Sequence, residues 1–158
     1  MNSRIQPGPV KELTELYRET IVANAVEPAG YNASIDATHR HQLYNPMCGD
    51  RVEVCMHISG ERIEAMAFTG EACAICMASA SLMCRHQPGR TLGEFEATSQ
   101  WLIDALRAES SEPGHEDLLP LLGVRAYPSR VRCALLPWEA GLSAIGRPLT
   151  ANPAQGTD

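Results

Sequence analysis

The sequence predicts an α+β fold, a pair of antiparallel strands set among helices, and three observations carry that prediction. Residues 51–58 alternate: Val52, Val54, Met56 and Ile58 fall on one parity, and Arg51, Glu53, Cys55 and His57 on the other. That is the period of a half-buried strand. Ser59-Gly60-Glu61 then forms a hairpin-like turn into a less regular strand over 62–68, which pairs the two antiparallel. Beyond Gly70 the alternation stops. Residues 73–86, rich in Ala, Ser and Met, read as a helix, and Thr91 with Glu94 has the spacing of a capping box that opens another.

The remaining elements follow in order. Residues 1–9, with Pro7 and Pro9 around Gly8, read as a flexible N-terminus. Leu13, Leu16, Tyr17, Ile21 and Val22 form the stripe of a first helix over 10–25, stopped by Pro28-Ala29-Gly30. Residues 33–37 are extended, and Asn45-Pro46 with Gly49-Asp50 marks a turn around Cys48. The helix begun at Thr91 runs to about residue 108, and 109–117 is a polar loop. Residues 118–122 form a short apolar turn ended by Gly123. Pro128-Ser129 starts a last helix, which Pro137 is expected to break or kink. One domain over 10–145 follows, with a disordered tail over 146–158.

Composition excludes several function classes. Thirteen basic residues against nineteen acidic ones give a formal charge of −6, without the basic stripe that nucleic-acid binding needs. The longest charge-free apolar run, 72–84, is 13 residues, short of the about 20 that span a membrane. The first residues carry no apolar signal segment, so a cytoplasmic location is expected, where thiols stay reduced. Six cysteines in such a chain point to metal ligands, reactive thiols or small core residues rather than disulfides.

The cysteines differ by setting. Cys48-Gly49-Asp50 puts a thiol and a carboxylate together in a turn, either as two metal ligands or as a buried thiol beside a turn-capping Asp. Cys73 falls at a helix start, where the backbone favours thiolate, or is an apolar first-turn residue. Cys73-Ala74-Ile75-Cys76 has the C-x-x-C spacing of thiol oxidoreductases, but an antiparallel meander precedes it instead of a parallel βαβ unit. Cys76 is otherwise a spare ligand or a core residue. Cys84 lies on the face of Cys73 but about 16 Å along the helix, too far to share an ion. Cys55 beside His57 is an ordinary strand position. Cys133 follows Arg130 by one helical turn and Arg132 directly, and nearby guanidinium lowers a thiol pKa.

Three segments together resemble the U-type iron–sulfur assembly family, which includes IscU, the N-terminal part of NifU, and SufU. They are Asn45-Pro46-Met47-Cys48-Gly49-Asp50, then residues 68–81 around Cys73, then Arg130-Val131-Arg132-Cys133-Ala134. The resemblance spans about residues 11–145. It implies a small three-stranded antiparallel sheet packed against helices, and a site of Cys48, Asp50, Cys73 and Cys133 that binds zinc or carries a nascent iron–sulfur cluster. Arg132 stands where IscU-type members have His, and residues 107–123 look like a SufU insertion, so the chain resembles the SufU branch. Two features depart from the family pattern: 24–30 lacks its usual His and Arg, and Cys76 stands where Ser is usual.

The resemblance implies a zinc-bound acceptor of persulfide sulfur from a cysteine desulfurase, the pyridoxal-phosphate enzyme SufS, with delivery to downstream cluster assembly proteins. Cys48, in a Gly-flanked loop, is the expected acceptor. Arg130 is expected to support the thiolate charge, since three thiolates and a carboxylate leave a zinc site net negative. The rivals are a cluster scaffold on the same four residues, an oxidoreductase using Cys73 and Cys76, and a metal-stabilised interaction domain.

Overall fold

The alternating stretch becomes the central strand of a three-stranded antiparallel sheet. In the computed structural model, which describes residues 8–107 and 114–149 (side chains of the first helix from Glu15 onward), strand order follows chain order. β1 (His39–Asn45) pairs with β2 (Asp50–Ser59), and β2 pairs with β3 (Arg62–Glu71). Val52, Val54 and Met56 turn inward with Ile63, Met66 and Phe68, and helices cover that face. The α+β class and its single three-stranded sheet are as expected.

Four α-helices surround the sheet: α1 (Gly8–Val26), α2 (Ala74–His86), α3 (Leu92–Arg107) and α4 (Pro128–Ile145). A 3₁₀ segment, Glu116–Ala126, precedes α4. α4 lies against β1 and β2, and α2 packs against both α1 and α4. Trp138 of α4 is fully buried and stacks on Phe95 of α3, with ring centroids 5.8 Å apart. Its indole N–H donates to Ser79 Oγ at 3.0 Å, and the Ser79 hydroxyl donates to the Ala134 carbonyl. This polar clamp ties α2 to α4 beside Cys133. Among the described residues, no helix is long and apolar enough to cross a membrane.

The capping box at α3 forms as predicted: Glu94 N–H donates to Thr91 Oγ1 at 3.1 Å, and Thr91 N–H to Glu94 Oε1 at 2.9 Å. Several local expectations are corrected. Gly8 and Pro9 belong to α1, because proline is tolerated in the first turn, where its missing N–H has no helical partner. β1 occupies a stretch where no strand was expected. Pro137 does not break α4, which runs unbroken through it. The proline costs one ladder bond, the one to the Cys133 carbonyl four residues back, and its ring is buried in the interface. The 3₁₀ segment begins inside the expected polar loop and runs past Gly123. The start of the expected tail is ordered, since Leu149 N–H donates to the Thr38 carbonyl at 2.6 Å and Pro148 bridges to His39. Residues 1–7, 108–113 and 150–158 lie outside the described residues.

Candidate metal centre

The β1–β2 turn presents Cys48. Asn45, almost fully buried, organises it. Its side-chain oxygen accepts the Met47 N–H at 3.1 Å, and its carbonyl accepts the N–H of Cys48 at 3.3 Å and of Gly49 at 2.8 Å. Gly49 turns the chain with φ +80, a conformation that costs glycine little. Cys48 is exposed, and beside it Met47 is 86% exposed.

Asp50 follows as the first residue of β2, 2% exposed. Its Oδ1 accepts the Cys73 backbone N–H at 2.8 Å, and its Oδ2 accepts from the Cys73 thiol at 3.3 Å. Cys73 is the N-cap of α2 and makes no side-chain cap bond of its own, so the carboxylate satisfies one of the free N–H groups of that helix end. Gly70 permits the approach of the strands here. With φ +137, a Cβ on it would fall 2.0 Å from the Arg51 carbonyl oxygen. Any side chain at position 70 would push β3 away from β2 next to Asp50.

Cys133, on the second turn of α4, is fully buried. Its Sγ lies 3.5 Å from Cys48 Sγ. One donor atom each from Cys48, Asp50 and Cys133 lie within 4.8 Å of one another. Cys73 completes the group through its contacts with Asp50. The four side chains named from sequence thus meet at one end of the sheet, carried by a turn, a strand start, a helix start and a helix interior.

The electrostatics of the cluster are those of crowded acidic groups. Burial pushes the Asp50 carboxyl up, but hydrogen bonds from Cys48, from the Cys73 backbone, and from Cys133 and Cys73 outweigh it, leaving its pKa below the ordinary carboxylate value. Burial pushes the Cys133 thiol far up, and the neighbouring Cys48, Asp50 and Cys73 push it further. Three thiolates and a carboxylate this close cannot all ionise without a cation among them. A divalent cation would supply that charge, and three sulfurs with one oxygen are a donor set suited to zinc.

Arg130 lies exposed on the first turn of α4 and Arg132 is exposed as well. Among the described residues, neither guanidinium makes an ion pair or hydrogen bond with the cluster. Cys84 is buried in the core with its pKa pushed up to about 12, chiefly by burial. Cys55 is half-buried on β2. In the sequence Asn45 marks only a turn. An Asn that opens a turn by accepting backbone N–H bonds is the available signal for its organising role.

The NifU-like N terminal domain family matches residues 16–134, a span that holds all four clustered residues. The chain belongs to that family. It is 32% identical over 130 residues to the zinc-dependent sulfurtransferase SufU of Bacillus subtilis (strain 168), covering 81% of this chain and 88% of that one. To the iron–sulfur cluster assembly scaffold protein IscU of Streptococcus pyogenes serotype M1 it is 29% identical over 153 residues, covering 94% and 93%. The crystal structure of the N-terminal part of a nitrogen-fixing NifU-like protein from Brucella abortus superposes with a TM-score of 0.72 at 26% identity, covering 85% of this chain and 94% of that chain. In this NifU-like domain, the helices and sheet just described are therefore a family architecture, with the cysteine cluster at its end.

Proposed function

We propose that this NifU-like domain is a SufU-type protein of iron–sulfur cluster assembly. It holds zinc through Cys48, Asp50, Cys73 and Cys133, and it takes up persulfide sulfur on Cys48. The observation that carries this reading is the pairing of an exposed loop thiol with a fully buried one, their sulfurs 3.5 Å apart. One sulfur can leave the cluster for a partner while the other stays. The likeness to a relative named a zinc-dependent sulfurtransferase supports the same reading.

Bound zinc keeps its thiol ligands deprotonated at neutral pH. A Cys48 that swings out therefore emerges as thiolate, the nucleophilic form. It attacks the outer sulfur of a persulfide on a cysteine desulfurase of the SufS kind. A new S–S bond forms on Cys48, the desulfurase S–S bond breaks, and its cysteine leaves as thiolate with the bonding pair, so no outside oxidant or reductant is needed. Asp50 and Cys73 hold the far side of the cluster. Met47 and Tyr44, both exposed, give the partner an apolar rim beside the acceptor. Cys48 then delivers the sulfur to downstream cluster assembly proteins. Six free thiols suit the reducing cytoplasm in which we place this chemistry. Arg130 sits one turn before Cys133 on the exposed side, where it offers positive charge to an approaching anionic persulfide.

A second reading is supported by the likeness to an IscU scaffold across nearly the whole chain: the same four residues would carry a transient iron–sulfur cluster. Elemental analysis of protein purified in air, followed by anaerobic incubation with iron and sulfide, separates the two. Zinc in the isolated protein, with desulfurase turnover raised by its presence, supports the sulfur-acceptor reading. Stable cluster absorption with no effect on the desulfurase supports the scaffold.

A further inference from the structure

Within the cluster, Cys48 and Cys133 form a contact pair of unlike thiols. Their Sγ atoms lie 3.5 Å apart, although the residues stand 85 positions apart in the chain. That separation is within the range from which two reacting atoms close to a bond. Cys48 is exposed and rides on the turn between β1 and β2, so it can move inward without disturbing a helix or a strand. Cys133 has no exposed surface, so an oxidant in solution meets Cys48 first. The other thiols are placed differently. Cys73 directs its thiol to Asp50 Oδ2 at 3.3 Å. Cys76 and Cys84 are buried in the core, and Cys55 lies half-buried on β2.

We propose that Cys48 and Cys133 are a redox pair, oxidised to a disulfide by a hydroperoxide and reopened by a dithiol. The Cys48 thiolate attacks one peroxide oxygen. The O–O bond breaks, hydroxide leaves, and Cys48 becomes a sulfenic acid. The Cys133 thiolate then attacks the Cys48 sulfur, an S–S bond forms, and the S–O bond breaks with loss of a second hydroxide. Two thiolates have given two electrons to the peroxide. A dithiol reverses the state by thiol–disulfide exchange and leaves as its own disulfide. The closed pair has no acceptor thiol, and of the four clustered residues only Asp50 and Cys73 remain to hold an ion. Oxidation therefore switches off metal binding and sulfur uptake together. That regulatory role rests on the function proposed above; the disulfide itself needs only the geometry of the two sulfurs. Bound zinc, by occupying both thiolates, slows the closure.

The test exposes the full chain, zinc-loaded and chelator-treated, to hydrogen peroxide. Free thiols are counted, released zinc is read with a chromogenic chelator, and unreduced digests are mapped by mass spectrometry. The metal-free wild type should lose two thiols per molecule, carry a Cys48–Cys133 bridge, and regain both thiols with dithiothreitol. The zinc-loaded protein should close several-fold more slowly and release one zinc per bridge. Cys133→Ala should lose one thiol and yield a Cys48 sulfenic acid that dimedone traps, whereas Cys84→Ala should behave as wild type. Circular dichroism checks that the metal-free samples are folded, and the zinc-loaded arm carries the test if they are not. A Cys73–Cys76 bridge, or Cys48 carried to sulfinic acid with Cys133 still reduced, overturns the pair. A Cys48–Cys133 bridge that forms equally fast with zinc added, in protein that binds none, upholds the pair and overturns the zinc reading.

Discussion

Cys48 and Cys133 face each other across 3.5 Å, yet the walls that carry them differ in kind. Cys48 stands on an exposed turn held by the backbone and side chain of one residue, Asn45. Cys133 stands in a helix interior with no exposed surface, next to a clamp of Ser79 and Trp138 that binds α4 to α2. The turn has few bonds to break if it opens. Moving Cys133 would mean moving α4 off the sheet. On the proposed reading, such a centre would have one movable ligand and a fixed base: the loop sulfur would travel and the helix sulfur would anchor.

Substitutions that break the fixed wall should have the largest effects. Trp138→Ala empties a fully buried site and removes the indole donor to Ser79 Oγ, so unfolding stability should fall by about 3–5 kcal/mol, read by chemical denaturation, with metal content falling too. Next in size is loss of the ion. Chelation of the wild type, or Cys133→Ala, should remove the stabilisation that binding contributes, about 4 kcal/mol for an ion at a thousand times its dissociation constant. Calorimetry with and without chelator measures it, and chelator should shift Cys133→Ala little.

The movable wall should respond differently. Asn45→Ala removes the acceptor of the Met47 N–H, costing about 1 kcal/mol of stability. Its larger effect should be on sulfur transfer, because the loop no longer presents Cys48 in one conformation. Stopped assays of persulfide transfer set against denaturation curves separate the two effects. Met47→Glu should leave stability within about 0.5 kcal/mol and metal content unchanged, since the side chain is exposed, yet raise the desulfurase concentration needed for half-maximal stimulation. Equal sensitivity of stability to Asn45→Ala and Trp138→Ala would erase the contrast between the walls.

Much of this arrangement was legible in the residues. The β2–β3 hairpin follows from strict alternation with a Gly turn, and the start of α3 from Thr91 and Glu94. Cys73 was placed at a helix start, and it proves to be the N-cap of α2. What escaped has physical causes. β1 reads His39-Arg40-His41-Gln42, polar on both parities, because it is an edge strand whose inward His39, His41 and Leu43 are only half-buried; β2, not its own pattern, dictates its pairing. Pro137 breaks the local rule for helices because tertiary packing holds α4 together around it. The convergence of Cys48, Asp50, Cys73 and Cys133 joins residues as much as 85 positions apart, which no local period encodes; only likeness to a family pointed to the four together. The place of Cys76 was open in the sequence because C-x-x-C spacing serves redox, metal and packing roles alike; the structure buries it in the core.

The most direct test of the movable-ligand account is to find where sulfur lands. Zinc-loaded wild-type protein is incubated with a cysteine desulfurase, its pyridoxal phosphate and cysteine, then blocked with an alkylating agent, digested and mapped by mass spectrometry. The account predicts one added sulfur atom on Cys48, with Cys73, Cys76 and Cys133 unmodified. A persulfide on Cys133, Cys73 or Cys76 with Cys48 untouched would contradict it and make the loop cysteine a static ligand.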